Sequence, residues 1–206
     1  MLPRPTAQIE STDSSPLRAW REEADRLDVA AYAAIAATPT PTMDASMRRL
    51  SRAANHSRLW LASAALLAAV GGERGRAAAV NGLASIALAS PVVNLVLKPL
   101  GDRRRPDRNI YAVPLARQVT MPRSTSWPSG HAASAFAFAT GVGAAWPGAG
   151  VPLSVVASLV AYSRVHTGVH YPSDTIAGTA SGVALAPVAV AAVRRVRRWW
   201  SADGAA

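Results

Sequence analysis

After Arg58, four long stretches of this sequence contain no lysine, arginine, aspartate or glutamate, and their lengths limit how the chain can fold. They cover residues 59–72, 77–97, 124–163 and 175–193, which are 14, 21, 40 and 19 residues. A helix needs about 20 consecutive apolar residues to cross a lipid bilayer. The 40-residue stretch must therefore fold back on itself, and residues 146–150, Trp-Pro-Gly-Ala-Gly, are the expected turn. We predict an all-α, polytopic membrane bundle of about five transmembrane helices, the first of them short.

The region ahead of these spans has a different character. Residues 1–24 are rich in proline, serine, threonine and charge, which is typical of a flexible tail, and they lack the pattern of a signal peptide. Pro16 suits the first position of a helix. We expect this helix to run to about Ala37 and to lie in the membrane interface, because its uncharged part is too short to span. Residues 43–55 have a basic amphipathic pattern. The prediction is a tail over residues 1–24 and one membrane-embedded domain over residues 25–206.

The net charge of the chain indicates which kinds of partner it can bind. It carries a formal net charge of +10, with 21 arginines and a single lysine. Nucleic-acid binding is the usual interpretation of such a balance. Here, however, the basic residues mostly flank apolar spans and few aromatic residues lie between them, so we predict no nucleic-acid partner. An anionic lipid surface or an anionic substrate fits better. The absence of cysteine excludes disulfides, a thiol nucleophile and cysteine-ligated metal sites.

If the spans alternate in direction, four polar segments meet at one face of the membrane. They are the end of the second span, the start of the third, the end of the fourth and the start of the fifth. These places carry residues 98–105, 128–131, 163–170 and Asp174. Ionisable side chains at such positions are functional candidates. For residues 98–105 alone, a snorkelling Lys98 and an arginine patch for lipid headgroups remain the structural alternative.

Residues 127–131, Trp-Pro-Ser-Gly-His, open the third span. Pro128 suits a helix start, and Ser129 and Gly130 leave backbone N–H groups free at the positive end of that helix, which favours anion binding. His131 follows directly and can donate a proton to a group bonded to the anion. A helix cap with an interfacial histidine is the structural alternative.

Residues 163–174, Ser-Arg-Val-His-Thr-Gly-Val-His-Tyr-Pro-Ser-Asp, hold two of the four histidines. Arg164 supplies a planar guanidinium suited to phosphate. Because His170 and Asp174 are four residues apart, the carboxylate can hold one imidazole nitrogen and leave the other as a nucleophile. His166, His170 and Asp174 also have the spacing of a metal-binding helix face. A glycine and a proline within the segment would interrupt such a helix.

Together these residues resemble the motifs of the type 2 phosphatidic acid phosphatase superfamily, a group of membrane lipid phosphatases. The family pattern has three parts, K-x6-RP, PSGH and SR-x5-H-x3-D. They are matched in residue and spacing by Lys98 to Arg105-Pro106, by residues 128–131, and by Ser163-Arg164 to His170 to Asp174. Three motifs in this order are a specific signal. The N-terminal third departs from larger relatives, which often have six spans.

The resemblance implies a role for each motif residue. His170 would attack phosphorus and form a phosphohistidine, Asp174 would orient it, and His131 would protonate the leaving alkoxide. The phosphate oxygens would be bound by Lys98, Arg105, Arg164, Ser129 and the backbone N–H of Gly130. No metal or other cofactor is expected. His56 and His166 match no motif position, and we interpret them as residues on the surface or behind the site.

The resemblance also implies a membrane lipid phosphate as the substrate. Bacterial members act on undecaprenyl or decaprenyl diphosphate, phosphatidylglycerol phosphate and phosphatidate. The composition, rich in alanine, arginine and valine and poor in lysine, suggests a GC-rich genome such as an actinobacterium's. Short members there are similar to the phosphatase of decaprenyl-phosphoryl-phosphoribose, an arabinan precursor. The predicted function is therefore metal-independent hydrolysis of a lipid phosphomonoester or diphosphate, with a place in cell wall biosynthesis.

The orientation in the membrane follows from the basic residues. In the five-span arrangement 16 of them lie on the active face and 6 on the other. The positive-inside rule then favours the cytoplasm for the active face. At least three of the 16 serve the phosphate, and residues 194–198, Arg-Arg-Val-Arg-Arg, favour the opposite orientation. We predict a multi-pass protein of the bacterial plasma membrane whose site opens at the membrane–water interface. The distribution of basic residues weakly favours the cytoplasmic side for this site.

Three other functions remain as alternatives to the phosphatase. A non-catalytic membrane protein could use the basic face to dock anionic lipids or a partner. A vanadium-dependent haloperoxidase resembles the same superfamily, but those enzymes are soluble and larger. A zinc hydrolase could use the His166, His170 and Asp174 array, and loss of activity in EDTA would favour it.

Overall fold

The computed structural model describes residues 16–203, and all regular structure in that range is helical. A short 3₁₀ turn, Asn55–Ser57, joins the second helix to the third, and residues 101–129 form a long loop between the fourth and the fifth. The helices of this part of the chain are α1 (Pro16–Ala37), α2 (Pro41–Ala53), α3 (Arg58–Val70), α4 (Gly72–Leu100), α5 (Gly130–Gly143), α6 (Pro147–His166) and α7 (Pro172–Asp203).

Three of these helices, α4, α6 and α7, are long and apolar enough to cross a membrane. The other two predicted spans correspond to α3 and α5, which have 13 and 14 residues. At 1.5 Å per residue each is only about 20 Å long, less than the roughly 30 Å hydrocarbon layer. The chain reverses between Gly143 and Pro147, at the start of the predicted turn. The structure thus supports an all-helical membrane protein with three candidate spans within residues 16–203.

Helix α5 lies at the centre of the bundle, in contact with α4, α6 and α7. Two glycines four residues apart let α7 approach it closely. A Cβ on Gly178 would lie 2.3 Å from the carbonyl oxygen of Ser129, and one on Gly182 would lie 2.3 Å from that of Ala133. Small residues at this spacing allow helices to pack backbone to backbone in lipid. The contact holds the N-terminal half of α7 against the start of α5.

The N-terminal helices and the long loop pack together at one end of the bundle. Arg117 of the loop is buried and donates from Nε to Asp44 at 2.8 Å and from Nη1 to the carbonyl of Ile35 at 3.1 Å. This guanidinium ties the connection between α1 and α2 to the loop. Helix α1 begins at Pro16 and ends at Ala37, as predicted. The predicted tail, residues 1–24, overlaps α1 from Pro16 onward, and residues 1–15 lie outside the described part of the chain.

Candidate active site

His170 lies in the turn between α6 and α7, with its ring between a carboxylate and a guanidinium. Its Nδ1 is 3.4 Å from Oδ2 of Asp174, and its Nε2 is 3.1 Å from Nη1 of Arg105. Gly168 has φ +72° in this turn, a conformation that glycine adopts without strain. The predicted pair is therefore brought together. Because Arg105 is a donor only, Nε2 presents its lone pair.

The carboxylate of Asp174 is held by several donors and is fully buried. The backbone N–H of Tyr171 donates to Oδ2 at 2.8 Å, and the hydroxyl of Ser126 donates to the same oxygen. Arg103 donates from Nη1 to Oδ1 at 3.1 Å. A carboxylate fixed by this many bonds can hold the His170 ring in one orientation. The sequence did not suggest Ser126, and it indicated Arg103 only as part of a basic patch.

Arg103 also joins α1 to the site. Its Nη2 lies 2.8 Å from Asp28 of α1, its Nη1 donates to Ser173 at 2.7 Å, and its guanidinium carbon lies 4.2 Å from the centre of the Tyr171 ring. Asp28 in turn accepts from the backbone N–H of Ser173 at 2.8 Å. One arginine thus supports two buried carboxylates on different helices.

We expect Arg103→Ala to destabilise the protein by about 3 kcal/mol, because it leaves Asp28 and Asp174 without their cation. It should also lower kcat more than it raises KM, since Asp174 loses one of the donors that orient it. Thermal unfolding in detergent and steady-state kinetics measure the two effects. The neighbouring Arg104 is exposed, so Arg104→Ala is the matched control and should change neither quantity. Equal behaviour of the two variants would contradict the assigned role of Arg103.

Two predicted phosphate ligands, Lys98 and Arg105, share a partner in the long loop. Lys98 Nζ donates to Oγ of Ser124 at 3.0 Å, and Arg105 Nη2 donates to the same atom at 3.2 Å. Arg105 is fixed further by bonds to the carbonyls of Ser124 at 2.8 Å and Val169 at 2.7 Å. Its position is therefore set before any ligand binds. A cleft of about 190 Å³ is lined by Lys98, Arg105, Gly130, His131 and His170, among others.

Arg164 and Ser129 are buried and are not among the residues that line this cleft. Arg164 Nη1 donates to the hydroxyl of Ser51 in α2, while its Nε has no partner among the described residues. The Ser129 hydroxyl caps α5 by accepting from the backbone N–H of Ala132 at 3.4 Å. The backbone N–H of Ser129 donates to the carbonyl of Asp174 at 2.9 Å. Both residues thus belong to the same end of the bundle, although the Ser129 hydroxyl is engaged by its own helix.

His131, at the start of α5, lines the same cleft as His170. Its Nε2 is 2.9 Å from Oδ1 of Asn55, at the junction of α2 and α3. Because this amide oxygen can only accept, the contact keeps a proton on Nε2. Asn55 was not predicted, since no spacing rule distinguishes it from the other polar residues ahead of the first span. The adjacent His56 also lines the cleft. Of the two places expected for it, His56 therefore lies at the site and not on a surface away from it.

Burial lowers the pKa of His170 to about 4, and the charges of Arg105 and Arg164 act in the same direction, whereas the hydrogen bond to Asp174 opposes them. The imidazole is therefore neutral, and able to act as a nucleophile, at all pH values above about 4. Burial also lowers the pKa of Arg105, to about 10, which leaves it charged at neutral pH.

A pH titration follows from this shift. Between the ordinary pKa of about 6.5 and the folded value near 4, the unfolded chain binds the proton first, so His170 lowers the free energy of unfolding as pH falls through that window. In a carbon-13 NMR titration of labelled histidines, we expect one resonance to titrate near pH 4 and to be missing from His170→Gln. A His170 resonance that titrates near 6.5 would contradict the burial assigned to this ring.

The alternative metal array is not assembled. His166 is buried and turns toward α2, where its Nε2 lies 2.9 Å from the Thr40 hydroxyl and 3.3 Å from Asp44. His170 lines the cleft instead, and Asp174 is buried against its ring. Within residues 16–203 no group of three or more histidine, cysteine, aspartate or glutamate side chains is arranged to hold a metal ion. His166 is thus part of the packing between α2 and α6, and its surface placement is excluded.

The comparisons with known proteins agree on one family. A family model described as the PAP2 superfamily matches residues 78–198. The decaprenylphosphoryl-5-phosphoribose phosphatase of Mycobacterium tuberculosis is 36% identical over 170 residues, which are 81% of this chain and 91% of the relative. The phosphatase of the same name from Mycolicibacterium smegmatis is 36% identical over 155 residues, 75% of this chain and 80% of the relative.

Two solved structures have the same fold. The crystal structure of Aquifex aeolicus LpxE superposes with a TM-score of 0.65 at 23% identity, over 80% of this chain and 94% of that one. The transmembrane PAP2 type phosphatidylglycerolphosphate phosphatase from Bacillus subtilis superposes with a TM-score of 0.64 at 22% identity, over 84% and 88%. Similarity at this level of identity shows the arrangement of the helices.

Proposed function

The chain belongs to the PAP2 superfamily and is a lipid phosphatase, and we propose that it hydrolyses its substrate through a phosphohistidine on His170. The observation that carries this mechanism is the arrangement of His170 between Asp174 and Arg105. One nitrogen faces a buried carboxylate, and the other opens on a cleft beside two cations and His131. Nucleophilic phosphoryl transfer uses three such groups. They are a nucleophile, a carboxylate that orients it, and a second histidine that can protonate the leaving group.

In the first step, Nε2 of His170 attacks phosphorus and the bond from phosphorus to the lipid alcohol breaks. The bonding pair goes to the alcohol oxygen, which takes a proton from His131. Arg105 lies next to Nε2 of His170, and there it joins Lys98 and Arg164 in stabilising the charge of the transition state on the phosphate oxygens. Asp174 stabilises the positive charge that develops on the His170 ring.

In the second step, water attacks phosphorus and the bond to Nε2 breaks. The neutral form of His131 accepts a proton from this water, so that the enzyme returns to its starting state and inorganic phosphate is released. Gly130 contributes its backbone N–H at the start of α5, where the helix dipole favours an anion. Ser129 places that turn. No step requires a metal ion.

The substrate is a phosphate ester carried by a membrane lipid. The relatives named decaprenylphosphoryl-5-phosphoribose phosphatase support a polyprenyl-linked phosphate for this chain. Polyprenyl diphosphate and phosphatidate-type lipids have the same reacting group. A role in the bacterial cell wall follows if the polyprenyl substrate is correct.

The proposed membrane topology includes helices in addition to the three candidate spans. We propose that α3 and α5 also lie within the bilayer, which gives a multi-pass protein with five membrane helices in one domain, residues 25–206. The central position of α5 supports this, because neighbouring helices shield it from lipid and it need not reach both surfaces. Leu17, Trp20 and Leu27 of α1 are exposed, which fits an interfacial helix. The site would then open at the membrane–water interface, with the basic residues favouring the cytoplasmic side.

Phosphate release from a panel of lipid phosphates in detergent with EDTA tests the function. We expect release from at least one lipid, at a rate unchanged by EDTA. Loss of activity in EDTA would favour the zinc hydrolase, and no release from any lipid would favour a protein that only docks anionic lipids. The preferred lipid in the panel identifies the substrate class.

A further inference from the structure

A second cavity lies beside the end of α5, away from the catalytic cleft at the start of that helix. It has a volume of about 380 Å³. Thr140 and Ala144 line it from α5 and the turn that follows, and the second half of α7 lines it from Pro187 to Arg198. The cavity shares no lining residue with the catalytic cleft, so it is a separate feature of the bundle.

The cavity exists because α5 is short and α7 is long. With 14 and 32 residues, the two helices measure about 20 and 48 Å. They lie close together where Gly178 and Gly182 meet the start of α5. The same face of α7 continues through Ala186 to Val190, whose larger side chains keep the helices further apart. Helix α7 then runs past the end of α5 and leaves a recess beside it.

The length of α7 places this recess at the boundary between lipid headgroups and acyl chains. Arg194 lies 22 positions after Pro172, about 33 Å along a helix, which is close to the roughly 30 Å thickness of the hydrocarbon layer. With the start of α7 at one surface, Arg194 and Arg198 reach the headgroups of the opposite leaflet. Residues 187–191 remain among the acyl chains. The exposed indoles of residues 199 and 200 follow, as is typical of a membrane interface.

The lining of the cavity is amphipathic in the same direction. Arg194 and Arg198 are four residues apart, on one side of α7, and both line it. Among its described lining residues none is acidic, and Pro187, Val190 and Ala191 form an apolar part. Two guanidinium groups side by side can bind the oxygens of one phosphate group through paired N–H donors. The polar part of the cavity therefore fits an anion, and the apolar part fits a hydrocarbon chain.

We propose that this cavity binds one anionic phospholipid from the leaflet opposite the catalytic cleft. The phosphate group lies between Arg194 and Arg198, and one acyl chain lies along Pro187 and Ala191 in the recess beside the end of α5. The bound lipid stabilises the bundle, because it covers the end of a helix that is too short to reach this surface. The site is independent of the proposed phosphatase mechanism and uses none of its residues.

The charge of the cavity favours one class of phospholipid. A zwitterionic headgroup would bring a cationic ammonium group next to the same two arginines, whereas phosphatidylglycerol brings a net negative charge and no cation. A general attraction between the basic end of α7 and an anionic surface would involve all its arginines alike. Arg195 is exposed and is not among the lining residues. A bound lipid therefore predicts different effects for Arg194 and Arg195, although both carry the same charge on the same turn.

The first test measures lipid binding to the purified full-length protein in detergent by native mass spectrometry. Phosphatidylglycerol should bind at least about tenfold more tightly than phosphatidylcholine of the same chain length. Arg194→Gln and Arg198→Gln should each weaken phosphatidylglycerol binding by about tenfold or more, because each removes a charged donor to the phosphate. Arg195→Gln is the matched control and should change it by less than about threefold.

The catalytic cleft also attracts anionic lipids, and a further variant separates the two places. Lys98→Ala removes a cation of the cleft and should leave tight phosphatidylglycerol binding unchanged. Loss of that binding in Lys98→Ala but not in Arg194→Gln would place the lipid in the cleft and overturn the proposal. Arg194→Gln should keep phosphate release in detergent within about twofold of wild type, since it lies at the other end of α7.

The second test addresses the apolar part of the cavity and leaves every arginine in place. Saturating phosphatidylglycerol should raise the Tm of the wild-type protein by about 4 °C or more. Ala191→Phe fills the recess and should abolish this rise. Ala192→Phe is the matched control, because Ala192 is equally exposed but lines a different groove, between α4 and α7. It should keep the rise.

The wild-type comparison of the two lipids does not depend on how any variant folds. Equal affinity for phosphatidylglycerol and phosphatidylcholine would overturn the proposal, as would equal effects of Arg194→Gln and Arg195→Gln. Either result would mean that these arginines only flank the membrane and influence the orientation of the chain. Both leave the phosphatase function intact, because phosphate release is measured separately.

Discussion

Replacing His170 by alanine is expected to lower kcat for lipid phosphate hydrolysis by about 10⁴-fold or more. The variant has no atom to form the covalent intermediate, and the remaining cations only bind the phosphate. Because binding does not need the imidazole, KM should change far less than kcat. The measurement is phosphate release by purified protein in detergent, over a range of substrate concentrations.

The intermediate can be observed directly. With a substrate labelled at the reacting phosphate, wild-type protein quenched in alkali should retain the label on a histidine, and the label should be lost in acid. His166→Gln is the matched control, because His166 is an equally buried histidine four residues away that contacts Asp44 and Thr40 instead. It should keep both the label and most of the activity. A labelled His170→Ala protein would contradict the assignment of the nucleophile.

The arrangement around His170 shows which parts of such a site a sequence reveals. The spacing of His170 and Asp174 places a carboxylate one helical turn from an imidazole, and the structure has the two in contact. The lengths of the uncharged stretches likewise predicted the turn after α5. These features are local, so the residues that determine them are close together in the chain. The count of five spans stays a prediction, because α3 and α5 have only 13 and 14 residues.

The residues that support the site come from distant segments. Ser126, Arg103 and Asn55 contact Asp174 or His131 across 48, 71 and 76 positions of sequence. Each is an ordinary polar residue in a loop or at a helix end, and no periodicity or spacing distinguishes it. Their roles depend on the way in which the long loop and the N-terminal helices fold onto the bundle, which is a tertiary property. The same holds for His166, whose spacing fits a metal site although its ring turns away.

Replacing His131 is the second change with a large expected effect, and the size of this effect depends on the leaving group. A lipid alcohol is a poor leaving group and needs the proton that His131 supplies, so His131→Ala should lower kcat/KM for a lipid phosphate by about 10²- to 10⁴-fold. Nitrophenolate leaves without protonation. For p-nitrophenyl phosphate the same variant should therefore form the phosphohistidine at a rate within about tenfold of wild type.

The second step then distinguishes a catalytic role of His131 from a purely structural one. Hydrolysis of the phosphohistidine needs a base for the attacking water, and in the proposed mechanism that base is again His131. In His131→Ala the intermediate should form quickly from p-nitrophenyl phosphate and decay slowly, which gives a burst of nitrophenolate equal to the amount of enzyme. Rapid-quench or stopped-flow absorbance measures the burst, with His166→Gln expected to behave as wild type. Equal losses for both substrates without a burst would mean that His131 only shapes the cleft, because a structural role does not distinguish the two leaving groups.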